Sequence, residues 1–161
     1  MVEPPFLGEQ HSVSGRRGTF QDDGTSAWLY LSEPGTGRVI ADVWAYNRVP
    51  APPLSKVGSY RPGPPPAAEG YAGPGALCPD PSAHRWELRW AADGESVALL
   101  RDGVALALIA RAERPGYSRL LAKPGPWGAV WDEQLFREVM GEAAEPRRWC
   151  DTQAVDDSVT S

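Results

Sequence analysis

Apolar and polar residues alternate with a period of two in several short runs. Each run ends at a cluster of Gly, Pro or Asp, the pattern of half-buried strands joined by turns. The clearest is His84-Arg-Trp-Glu-Leu-Arg-Trp90, which puts Trp86, Leu88 and Trp90 on one face and Arg85, Glu87 and Arg89 on the other. Asp93-Gly94 turns the chain into Ser96–Arg101, and Asp102-Gly103 turns it again into Val104–Ala110, so residues 84–110 read as a three-stranded meander. An earlier unit reads as strand, acidic turn, strand: it runs from about Arg17 to Leu31 around Asp22-Asp23-Gly24. A third strand follows at Val39–Tyr46, with Val39, Ala41, Val43 and Ala45 on one face and Ile40, Asp42, Trp44 and Tyr46 on the other. Neither face is wholly polar, so both are expected to be partly covered.

The period changes to helical once. Leu135, Phe136, Val139 and Met140 form an apolar stripe behind Asp132, which suits an N-cap, and before Gly141, which suits a C′ position. These elements predict one domain over residues 1–161 of mainly β (α+β) class. The expected fold is a single antiparallel, curled sheet of about six strands with a C-terminal helix at 132–140 packed on it. Residues 1–16 read as an irregular lead-in, 17–48 as the N-terminal strands and 146–161 as a polar tail. Residues 50–82 hold ten Pro and five Gly, which oppose both helix and central strand and predict a long extended or mobile loop. Tyr60 and Tyr71 in that loop are expected to pin it to the body of the domain.

Composition sharpens this picture. The 161 residues include 17 Pro, 17 Gly and 7 Trp; large rings let a β-rich core be built from few positions. The net charge of -5 is uneven, and residues 126–161 carry 3 basic and 8 acidic groups. A free acidic surface disfavours nucleic acid and favours a basic partner. Cys78 and Cys150 lack paired metal-ligand spacing. The first residues lack a basic, apolar leader and no stretch approaches a membrane span, which predicts a soluble cytoplasmic protein with reduced thiols and no membrane partner.

Catalytic motifs are sparse. There is no Gly-x-Ser-x-Gly, no phosphate-cradling Gly/Lys loop and no His-Glu-x-x-His. His84 reads as a strand-end residue rather than a base, and Cys150 has no positioned base beside it in the sequence. Asp22, Asp23 and Asp42 are the best acidic candidates for a cation, but Asp22-Asp23-Gly24 reads more simply as a turn in which an Asp side chain bonds its own backbone. Trp86 and Trp90 alternate away from Arg85 and Arg89, which favours core over a base-stacking platform. The expectation is no catalytic residue, no cofactor, no metal and no nucleic-acid partner.

Phe20-Gln-Asp-Asp-Gly-Thr-Ser-Ala-Trp-Leu-Tyr30 followed by Val43-Trp-Ala-Tyr-Asn-Arg48 resembles a small bacterial family of unknown function. That family carries a Phe-Glu-Asp-Asp-Gly-type hairpin and then an Ile-Tyr-Asn-type strand. Trp86–Gly94, Leu99-Leu100, Asp102-Gly103, Arg114–Tyr117 and Trp131-Asp132 look similar too, while Gln21 replaces the usual acidic residue and Ala27 the usual Gly. The resemblance implies no activity. Small, acidic, catalytically sparse bacterial domains of this kind are often immunity proteins that bind and block a secreted toxin. The expected partner is therefore a cognate, basic toxin domain, met by Asp132, Glu133, Glu138, Glu142 and Glu145; the last three share a face if the helix runs past Gly141. The alternatives are a regulatory or structural binding module without a toxin, or a small-ligand or metal-binding β-domain.

Overall fold

The structure is a computed structural model and describes residues 4–112 and 115–141. The chain divides into two compact units, Met1–Trp131 and Asp132–Ser161.

The first unit holds two sheets. One has the order β1 (Phe6–Gln10), β2 (Arg17–Asp22), β3 (Ser26–Ser32) and β4 (Val39–Asn47), all antiparallel neighbours. The other runs β5 (Trp86–Trp90), β6 (Ser96–Arg101), β7 (Val104–Ala110), β8 (Tyr117–Ser118) and β9 (Ala129–Val130), antiparallel except for the last pair. The single six-stranded sheet expected from the pattern is thus replaced by four strands facing five. Two features explain the split. The outer edge of β4 is already occupied, because Trp44 N–H donates to Trp127 O (3.0 Å) and Asn47 N–H to Ala76 O (2.7 Å), so β5 cannot add there. Phe20, Leu29, Leu31 and Val43 share one core cluster with Val97, Leu99, Leu106 and Ile109 of the second sheet. Burial of that apolar surface is the main drive for the two sheets to stack.

Three strands escaped the sequence pattern. β1 lies in the expected lead-in, and its mostly exposed Phe-Leu-Gly-Glu-Gln run has no alternation to reveal it. β8 and β9 have two residues each, too short to display a period.

β-Bulges also reassign faces. Ala27 pairs with Tyr46 but Trp28 pairs with Trp44, so Ala45 is an extra residue on β4. An extra residue interrupts strict alternation. Tyr46 therefore does not share Trp44's surroundings, as a period of two would require. Its ring lies 5.3 Å from that of Trp86 and 6.2 Å from Phe20, whereas the Trp44 indole N–H donates to Asn47 Oδ1 at 2.8 Å.

The proline-rich segment is tied down. It contains two short 3-10 helices, Leu54–Tyr60 and Pro81–Ala83, and its Ala67, Ala68, Ala76 and Cys78 belong to the core. Buried Asn47 is the anchor. Its Oδ1 accepts from Ala67 N–H at 2.8 Å, its Nδ2 donates to Ala67 O at 3.0 Å, and its backbone O accepts from Cys78 N–H at 2.8 Å. One asparagine thus satisfies backbone groups of a segment that has few donors of its own. Tyr71 pins the segment as expected, with its ring 5.0 Å from Trp127.

The second unit contributes one described element, α1 (Glu133–Met140). Asp132 Oδ1 accepts from Leu135 N–H at 3.0 Å, and Gly141 takes the left-handed conformation at φ 67° that ends the helix.

Candidate functional site

The two sequence blocks that carry the resemblance meet in space. β2 ends with Asp22, whose side chain is 0% exposed, and β4 ends with Tyr46 and Asn47, followed by Arg48. Tyr46 O–H donates to Asp22 Oδ2 at 2.7 Å, and one Arg48 nitrogen donates to both Asp22 oxygens at 3.0 and 3.1 Å. Gly24 N–H completes the set by donating to Asp22 Oδ1 at 2.8 Å. A carboxylate removed from water is kept only when its oxygens are satisfied by good donors, as here. Burial, followed by the bond to Asp22, pushes the Tyr46 phenol far above its ordinary value. This clasp ties the turn end of the β2–β3 hairpin to the end of β4.

An aromatic stack continues from the clasp. Phe20 and Trp86 are 4.9 Å apart, and His84 meets Trp86 edge-on at 6.0 Å. Behind it, Cys78 is buried within reach of Arg101; burial pushes its thiol up, outweighing the opposing influence of the arginine. Tyr46, Trp86 and Phe20 are therefore packing groups of the sandwich.

The sequence-selected residues separate in the structure. Asp23 Oδ1 accepts from Thr25 and Ser26 N–H at 2.9 and 3.0 Å, which is the backbone-bonding turn. Asp42 is exposed beside Tyr30, and partial burial raises its carboxyl. Among the described residues no group of three His, Cys, Asp or Glu converges on a metal-sized site. His84 Nδ1 lies 2.6 Å from Asp102 Oδ2, and Arg85 N–H donates to Asp102 Oδ1 at 2.8 Å. The Arg85 backbone bond, then His84, hold the Asp102 carboxyl below its usual range. His84 is thus a strand-end residue locked to the β6–β7 turn. Trp90 packs with His11 at 5.3 Å, and Trp86, Leu88 and Trp90 are half-buried against the core cluster.

Of the acidic residues expected to meet a partner, Asp132 is the helix cap. Glu133 pairs with Arg137 at 3.1 Å, and Glu138 accepts from Gln134 at 3.2 Å. Glu142 and Glu145, like Cys150, lie outside the described residues. α1 ends at Gly141, so the face expected to be shared by Glu138, Glu142 and Glu145 falls outside the described residues beyond Glu138.

The sequence reading missed an open apolar groove of about 740 Å³. Its walls include Leu54, Val57, Pro62, Pro65, Pro126 and Trp127. Trp127 Nε1 donates to Pro65 O at 3.2 Å, which fixes the indole in the wall. Prolines that read as loop punctuation gave no sign that they would line a cavity; Trp127, an apolar ring inside a Pro/Gly loop, was the available signal. A smaller cavity of about 320 Å³ opens between the edge strands β1 and β5, lined by Leu7, Gly8, Glu9, Trp86, Glu87 and Leu88.

No protein-family model, curated protein or solved structure matches this chain. Among the described residues no helix is long and apolar enough to cross a membrane.

Proposed function

We propose that this chain is a bacterial immunity protein of antitoxin type, which binds a cognate toxin domain and blocks it without chemistry of its own. The observation that carries the reading is the state of Asp22. Asp22, the most enclosed acid among the described residues, is bonded by Tyr46, Arg48 and Gly24, so it serves as a clasp. A sandwich whose buried acid is bonded internally suits recognition by its surface. Glu133 and Glu138, exposed on α1, and the acidic composition of residues 126–161 suit a partner with a positive groove.

The test is co-expression with the toxin encoded beside this gene, together with association kinetics at low and high salt. Glu138→Lys combined with Glu142→Lys is expected to slow association severalfold at low salt and to flatten its salt dependence. Protection of cells should fall in parallel. Unchanged rate and unchanged protection would remove this surface from the interface. Absence of any toxin protected against would remove the reading itself. The apolar groove favours a second reading, a small-ligand-binding β-domain, because cavities of a few hundred Å³ lined by apolar side chains commonly hold small molecules.

A further inference from the structure

What the groove would bind can be read from its own lining. Leu54, from the first 3-10 helix, lines the groove and is 54% exposed, so it adds accessible apolar surface to the wall. Pro62, Pro65 and Pro126 add wall without adding a backbone N–H, so few donors point inward. A sugar or other highly polar ligand would lose water here without regaining hydrogen bonds.

Among the described lining residues one is charged. Arg61 sits among these apolar groups, and its guanidinium makes no hydrogen bond or ion pair with another described residue. Asp23 lies beyond Gly63, with Oδ2 3.4 Å from where a Cβ on that glycine would stand. Asp23 Oδ1 accepts from Thr25 and Ser26 N–H, and among the described residues no ion pair joins Asp23 to Arg61. Among the described residues the groove therefore offers an apolar trough with a cation, Arg61, that no described side chain pairs with.

We propose that this groove binds a small amphipathic carboxylate, with its apolar body along Leu54, Val57 and Trp127 and its carboxylate on Arg61. A volume of about 740 Å³ admits such a molecule. The planar guanidinium fork matches a carboxylate in two parallel hydrogen bonds. A cationic ligand of the same shape would face Arg61 with like charge.

Three matched probes test the assignment on the full chain by titration calorimetry: octanoate, octanol and octylammonium. Octanoate is expected to bind at one saturable site, about two- to fivefold more tightly than octanol, the upper part of the range for a solvent-accessible ion pair. Octylammonium should bind more weakly than either. Arg61→Gln should bring octanoate down to the level of octanol and leave octanol unchanged. Leu54→Asp should weaken octanol severalfold. Both substituted residues are exposed, and urea unfolding of each variant checks that the fold is retained. Equal binding of octanoate and octylammonium, an Arg61→Gln variant that still prefers octanoate, or no saturable octanoate binding below its micellar range would each overturn the proposal.

Discussion

Asp22→Asn is the most informative single change, because it alters one charge and almost no volume. In the native clasp the carboxylate receives Tyr46, Arg48 and Gly24. The amide oxygen can still serve Gly24 or Tyr46, but its NH₂ group then faces the arginine. Removing one member of a buried ion pair typically costs about 3–5 kcal/mol, because the other charge stays buried without compensation. Arg48 is 22% exposed, so water recovers part of this. Its Nε, by contrast, is buried without a hydrogen-bond partner and gains nothing. The net expectation is a loss of about 2–4 kcal/mol. For a domain of this size that lowers the thermal midpoint by roughly 6–12 °C. Urea unfolding followed by tryptophan fluorescence should show a lower midpoint with an unchanged slope. Tyr46→Phe removes one hydrogen bond and should cost about 1–2 kcal/mol. The coupling is the sharper test. Arg48→Met placed on Asp22→Asn should restore stability or leave it unchanged, since the stranded charge is gone. A loss below about 1 kcal/mol for Asp22→Asn, or full additivity with Arg48→Met, would refute the clasp.

Asn47→Ala should release the proline-rich segment, since that side chain holds Trp44 and both backbone groups of Ala67. Limited proteolysis should cut residues 50–82 first in the variant but not in the parent, and identical cleavage patterns would contradict this. Burial, then the Asp42 and Asp23 carboxylates, push the Tyr30 phenol up to about 12. The unfolded chain ionises near ~10, so this contribution to stability is complete below that pH and is lost as pH rises toward the folded value. Unfolding followed across that alkaline window should show a shallower decline in Tyr30→Phe than in the parent; equal slopes would count against it.

Local pattern alone determined much of this protein. The alternation at Trp86, Leu88 and Trp90, the Asp-Gly turns after Trp90 and Arg101, and the cap and stop of α1 at Asp132 and Gly141 all depend on neighbours a few residues apart. Backbone sterics and side-chain period act over that range, so a reader of the chain finds them. The turn role of Asp23 was legible for the same reason. The sheet count was not. Whether β5 adds beside β4 or stacks over it depends on what fills the edge of β4, and the occupants, Ala76 and Trp127, are distant in the chain. Asp22 read as a turn residue or a cation ligand until Tyr46 and Arg48 arrived from more than twenty residues away to neutralise it. One bulge at Ala45 redirected Tyr46, and a single inserted residue leaves no mark in a run that is apolar on both faces. The groove has the same origin: Leu54, Pro62 and Trp127 become one surface only after the segment is pinned at Asn47. Short-range sterics wrote the strands and turns into the sequence, while long-range satisfaction of buried donors and acceptors decided which of them meet.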